Sequence, residues 1–121
     1  MSGPRAPLAL LAVSLILLCG CGQQQVVGSE LALQIGVSEY RIAPQSISAP
    51  SGLLTIFVRN YGRLTHDFVV SLSGHPEAST KPIAPGQTAV LAVTLTAGKY
   101  LMSSTILADQ ALGAYGTLTV H

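Results

Sequence analysis

Leu31, Leu33, Ile35 and Val37 alternate with Ala32, Gln34, Gly36 and Ser38, and this period of two is the strongest constraint on the fold. Successive side chains of a strand point to opposite faces, so such a run lays one apolar face on a core. Further β-branched and apolar runs follow at 53–60 (LLTIFVRN), 66–72 (HDFVVSL), 88–96 (TAVLAVTLT), 99–106 (KYLMSSTI) and 116–120 (GTLTV). The run at 53–60 is apolar on both faces, as a central strand is. Ala49-Pro50-Ser51-Gly52, Tyr61-Gly62, Gly74-His75-Pro76, Ala84-Pro85-Gly86 and Ala97-Gly98 punctuate the runs with turn chemistry. No helical stripe interrupts them. Short strands at regular spacing predict an all-β sandwich or barrel, and 121 residues predict one domain.

The N-terminus has a different character. Residues 1–20 carry a single charge, Arg5, followed by the apolar stretch Leu8 to Leu18 (LALLAVSLILL). This stretch fits the core of a signal peptide and is shorter than the roughly 20 residues of a membrane-spanning helix. Leu18-Cys19-Gly20-Cys21 then resembles a bacterial lipobox, with leucine at −3 and a small residue at −1. Cys19 at −2 is a mild departure from that pattern. The resemblance implies cleavage before Cys21 and a diacylglyceryl group on its sulfur, and two acyl chains anchor stably where one does not. The same segment also reads as an ordinary cleaved signal without lipid, or as an uncleaved anchor. The expected layout is a signal peptide at 1–20, a lipidated cysteine and polar tether at 21–29, and a folded domain at 30–121. The tether shows no strand period. The expected location is extracytoplasmic, on a bacterial cell membrane.

Charge and cysteine usage exclude several functions. Beyond residue 20 the chain has five basic and five acidic side chains, with no basic stripe, so nucleic acid is not an expected partner. Both cysteines, Cys19 and Cys21, lie at the end of the apolar segment. The domain therefore has no internal disulfide, no thiolate nucleophile and no cysteine-ligated metal. No nucleophile elbow, phosphate loop or zinc-protease motif occurs. In a strand His66 and Asp67 would face opposite sides and make no acid–base pair. An enzyme is not expected.

Six pieces in order resemble the cupredoxin family over roughly Glu39 to Val120. Tyr40-Arg41-Ile42-Ala43-Pro44 with Ser48-Ala49-Pro50-Ser51-Gly52 is similar to its opening pair. Thr55 to Asn60 with Gly62, then His66-Asp67-Phe68-Val69-Val70, are similar to its next two strands. Ile83-Ala84-Pro85-Gly86, Gly98-Lys99-Tyr100 and Gly113 to Val120 (GAYGTLTV) follow in the family's order. The resemblance implies a Greek-key β-sandwich. It also implies where a type 1 copper site would lie, built in that family from two histidines, a cysteine and a weak axial methionine. His66 matches the first histidine. The cysteine position falls on Ser104, the second histidine on Asp109 and the methionine on Ala114, so the site is degenerate. Asp109 and Ala114 fall in a loop, where added volume is expected to be tolerated. Met102 shares a strand face with Tyr100 and is expected in the core. Asn60 stands where the family's asparagine ties the ligand loops, and turn capping accounts for it equally. His75 and His121 are expected at the opposite end of the sandwich.

The expected function is a binding or structural module on the cell envelope, held by its lipid anchor, with an envelope protein as a candidate partner and no resident cofactor. The alternative is a non-blue copper or zinc site on His66 with Asp109; a hydrogen-bonded structural role for His66 is the plainer reading. Electron transfer ranks below both, because the sulfur that tunes it is missing.

Overall fold

The alternation at the start of the domain becomes a strand with Leu33, Ile35 and Val37 buried and the residues between them exposed or half-buried. The computed structural model describes Gln25–Val26 and residues 32–121. In chain order its strands are β1 (Gln25–Val26), β2 (Ala32–Ser38), β3 (Arg41–Ala43), β4 (Ser46–Ala49), β5 (Gly52–Asn60), β6 (Val69–Leu72), β7 (His75–Ser79), β8 (Thr88–Leu95), β9 (Gly98–Ser103) and β10 (Tyr115–Val120). They form a six-stranded sheet, β1-β4-β10-β9-β6-β7, and a four-stranded sheet, β3-β2-β5-β8. No helix occurs among the described residues. The expected signal peptide at 1–20 and Cys21 lie outside them.

The inner faces of the sheets meet in one core. Leu54, Ile56 and Val58 of β5 face Met102 of β9 and Leu118 of β10 across it, with Phe68 and Ile47 filling the rest, all fully or nearly fully buried. Burying side chains of this size contributes about 1.5–3 kcal/mol each. Met102 is a core residue, as expected. β5 is central in its sheet, between β2 and β8, but its outer face is only partly buried, with Thr55 and Phe57 half-buried and Leu53 exposed.

Four local expectations are corrected. Gln25–Val26, expected within a tether without strands, pairs in parallel with β4. His75 and Pro76, expected in a turn, begin β7, which covers the edge of β6. Residues 104–106 leave the sheet after β9 ends at Ser103. His66 belongs to no strand: it makes an isolated bridge to Ile83. The cause is topological, because β5 and β6 lie in different sheets and residues 61–68 must cross between them.

Register fixes two poles. β2 and β5 run in parallel and end together, with Val37 opposite Asn60. In the other sheet Ser103 pairs with both Tyr115 and Val69, so β9 ends where β6 and β10 begin. Contacts of Glu39 with His66 join these ends into one pole. At the other pole Ser51 N–H donates to the His121 carbonyl and Leu72 pairs with His75.

Candidate functional site

The site is built on Asn60, the last residue of β5, which is fully buried. Its Nδ2 donates to the carbonyls of Leu64 and Ile83, both at 2.8 Å, and its Oδ1 accepts from Gly62 N–H at 2.8 Å. One amide thus caps a turn and ties two loops together. Those loops hold His66 in place, since its backbone exchanges hydrogen bonds with Ile83 at 3.2 and 2.7 Å.

The imidazole of His66 is wholly buried. Its Nδ1 lies 2.7 Å from Asp109 Oδ2, and its Nε2 lies 3.4 Å from Glu39 Oε1. A neutral ring donates from one nitrogen only. The lengths assign that proton to Nδ1, donated to Asp109. Ser104 Oγ–H donates to the same Asp109 Oδ2, also at 2.7 Å. A hydroxyl has one proton, so the 3.3 Å approach of Ser104 Oγ to Asp67 Oδ1 is the weaker contact. Asp109 itself closes a tight loop: its N–H donates to the Ile106 carbonyl and its carbonyl accepts from Ala114 N–H. Ser104 N–H in turn donates to the Ala114 carbonyl at 3.1 Å.

Chain folding therefore brings together His66, Ser104 and Asp109, with Ala114 bonded to the backbone beside them, while His75 and His121 lie at the opposite pole. Asp109 is 6% exposed and Ala114 not at all. The tolerance for added volume expected of a loop is corrected at these two positions, because both face inward although most of the loop is exposed. Asp67 is corrected too. It does not point away from the cluster, because the crossover is not a strand. Its N–H donates to Ser104 Oγ, and its carboxylate accepts from Thr105 N–H and Thr105 Oγ–H, each at 2.6 Å.

Glu39, just past β2, is the site residue that sequence reasoning missed. Its carboxylate accepts from the N–H groups of Leu64 at 2.8 Å and Arg63 at 2.6 Å. The Leu64 bond is the main cause that holds its pKa down to about 2 from an ordinary 4.5, with the Arg63 bond adding to it against partial desolvation. Gly62 has no side chain because a Cβ there would strike this carboxylate. The available signal was a loop, Tyr61 to Leu64, whose backbone donors needed partners.

The donor set does not fit type 1 copper. That site takes two imidazole nitrogens and a thiolate. Here one imidazole and one hydroxyl each meet the same carboxylate oxygen at hydrogen-bond length, 2.7 Å, where a metal would sit at about 2.0–2.1 Å from nitrogen. The proton on Nδ1 occupies the lone pair through which that nitrogen would ligate an ion on the Asp109 side, and the other ring nitrogen faces Glu39. Glu39 and Asp109 flank opposite edges of the ring and cannot converge on one ion. Among the described residues no group of three or more His, Cys, Asp or Glu side chains is placed to hold a metal ion.

No protein-family model matches the chain, and no curated protein matches it. Solved structures do. Auracyanin from the photosynthetic bacterium Roseiflexus castenholzii superposes with a TM-score of 0.70 at 19% identity, over 78% of this chain and 99% of that one. An azurin from Methylomonas sp. strain J gives 0.68 at 14%, over 77% and 99%. Auracyanin A, a "blue" copper protein from Chloroflexus aurantiacus, gives 0.65 at 16%, over 82% and 100%. At such identities the likeness establishes the fold and leaves the chemistry to the site.

Proposed function

Because the described residues form a cupredoxin-like β-sandwich, we propose that this chain is an extracytoplasmic lipoprotein, anchored through Cys21, whose domain acts as a binding or structural module without type 1 copper. One observation carries the reading. Asp109 Oδ2 stands between His66 Nδ1 and Ser104 Oγ, 2.7 Å from each. A carboxylate oxygen holds together the two side chains that would face a metal, and a hydrogen-bonded knot replaces a coordination site. The same geometry supports a non-enzymatic role. Serine and histidine both donate to one oxygen, so no ring nitrogen is poised to take the serine proton.

Metal analysis and a Cu(II) titration of the purified protein test this. The expected result is no stoichiometric copper and no intense blue colour, which requires a copper–thiolate bond. Ser104→Cys with Asp109→His removes the knot and supplies the two-histidine, one-cysteine set, and this variant is expected to bind copper and turn blue. Adding Ala114→Met at a fully buried position is expected to cost about 1–3 kcal/mol of stability. A blue natural protein overturns the proposal.

A further inference from the structure

The His66 pole carries most of the large apolar side chains that the described domain exposes: Tyr40, Tyr61, Leu64, Leu107, Leu112 and Tyr115, against Leu53 and Val90 elsewhere. Leu107 is 94% exposed and holds a φ of 55°. That is a left-handed backbone leucine seldom adopts, and here no burial offsets it. The arginines of the domain, Arg41, Arg59 and Arg63, all stand exposed near the same pole, with Arg59 5.2 Å from the ring centre of Tyr61. The pole's acids are engaged from within: Glu39 by backbone N–H groups, Asp67 by Thr105 and Asp109 by His66 and Ser104. What it presents outward is tyrosine, leucine and arginine, the composition of surfaces that rest at lipid headgroups.

Strand direction points the same way. β1 runs parallel to β4, which runs parallel to β10. β10 starts at the His66 pole, so the N-terminal end of β1 is the end nearer that pole. Gln25 is level with Ile47 and Leu118, about 10 Å along the strand from Tyr115. Cys21 is four residues upstream of Gln25, a reach of at most about 14 Å. That reach suffices to bring Cys21 level with the rim of the pole.

We propose that the His66 pole lies against the surface of the anchoring bilayer, with Leu107 and its neighbours at headgroup depth and the arginines meeting anionic headgroups. This rests on the reading that Cys21 is lipidated. The partner is a lipid surface, and the pole is covered once the protein is anchored.

The test uses the full chain, purified from membranes and reconstituted in vesicles containing phosphatidylglycerol. Removal of 1–20 and acylation of Cys21 leave no free thiol, so Leu107→Cys and His75→Cys each accept one fluorophore, with Leu112→Cys as a second reporter at the proposed face. The poles are about 30 Å apart along β5. Quenching by headgroup spin-labelled lipid is expected to be severalfold stronger at positions 107 and 112 than at 75. Equal or reversed quenching in a protein whose Cys21 is acylated by mass spectrometry overturns the orientation alone, and leaves the pole facing water as a protein-docking surface would. Unmodified Cys21 overturns the anchor and the orientation together.

Discussion

Asp109 does the work of two partners at once. It accepts from a buried imidazole and a buried hydroxyl, and neither donor has another strong acceptor in reach. Asp109→Ala would leave both without a partner and is expected to destabilise the domain by on the order of 3 kcal/mol, measured by urea denaturation. Asp109→Asn keeps one acceptor oxygen and should lose less. Glu39 makes a second prediction, with a pH signature. Its folded pKa of about 2 lies below the ordinary 4.5, so the folded state favours the carboxylate. The stability it contributes is fully present above pH 4.5 and is lost as pH falls through about 2. Denaturation of the natural protein and of Glu39→Gln at a series of pH values should show an advantage for the natural protein at neutral pH that shrinks across this window. An advantage that persists at pH 2 would contradict the assignment.

At the scale of elements, the parallel pairing of β10 with β4 depends on a residue without a side chain. A Cβ on Gly116 would lie 2.5 Å from the Gln45 carbonyl oxygen and 3.0 Å from Met102 Cε. Thr117 N–H donates to that same carbonyl at 2.8 Å, so the backbone there cannot yield without losing the bond. Gly116→Ala is expected to cost about 1–3 kcal/mol in chemical denaturation, though the change is a single methyl group. The loop from Ser104 to Ala114 is held similarly. Gly113 has a φ of 127°, and a Cβ on it would meet the Tyr40 carbonyl oxygen at 2.8 Å. That close approach lets the loop carrying Asp109 pack against the turn after β2, so two sheets meet at one pole.

For the whole molecule, the sandwich and the proposed anchor are separable. The core draws on both sheets, and the residues that would direct export and lipidation lie before it in the chain. Cys21→Ala is therefore expected to leave the fold intact and to move the protein from the membrane pellet to the soluble fraction, or to leave it as an uncleaved precursor. Fractionation and intact mass measurement distinguish these outcomes, and a membrane-bound, processed Cys21→Ala protein would count against the lipid anchor.

Much of this architecture was legible in the sequence because periodicity is a local property. Alternation at Leu33, Ile35 and Val37 requires one buried face whatever lies opposite it, and Pro and Gly mark turns through their own backbone limits. The placing of His66, Ser104 and Asp109 came from ordered motifs, and folding brought the three into contact. Other features depended on distance along the chain. Glu39 reaches backbone donors 24 and 25 residues away, and nothing local in Ser38-Glu39-Tyr40 specifies them. β1 and β7 have weak strand patterns and form because β4 and β6 present open edges beside them. That Asp109 fills the place between imidazole and hydroxyl was decided only by tertiary structure. A carboxylate can ligate a metal, cap a turn or accept two protons, and which of these it does depends on the donors that packing sets around it.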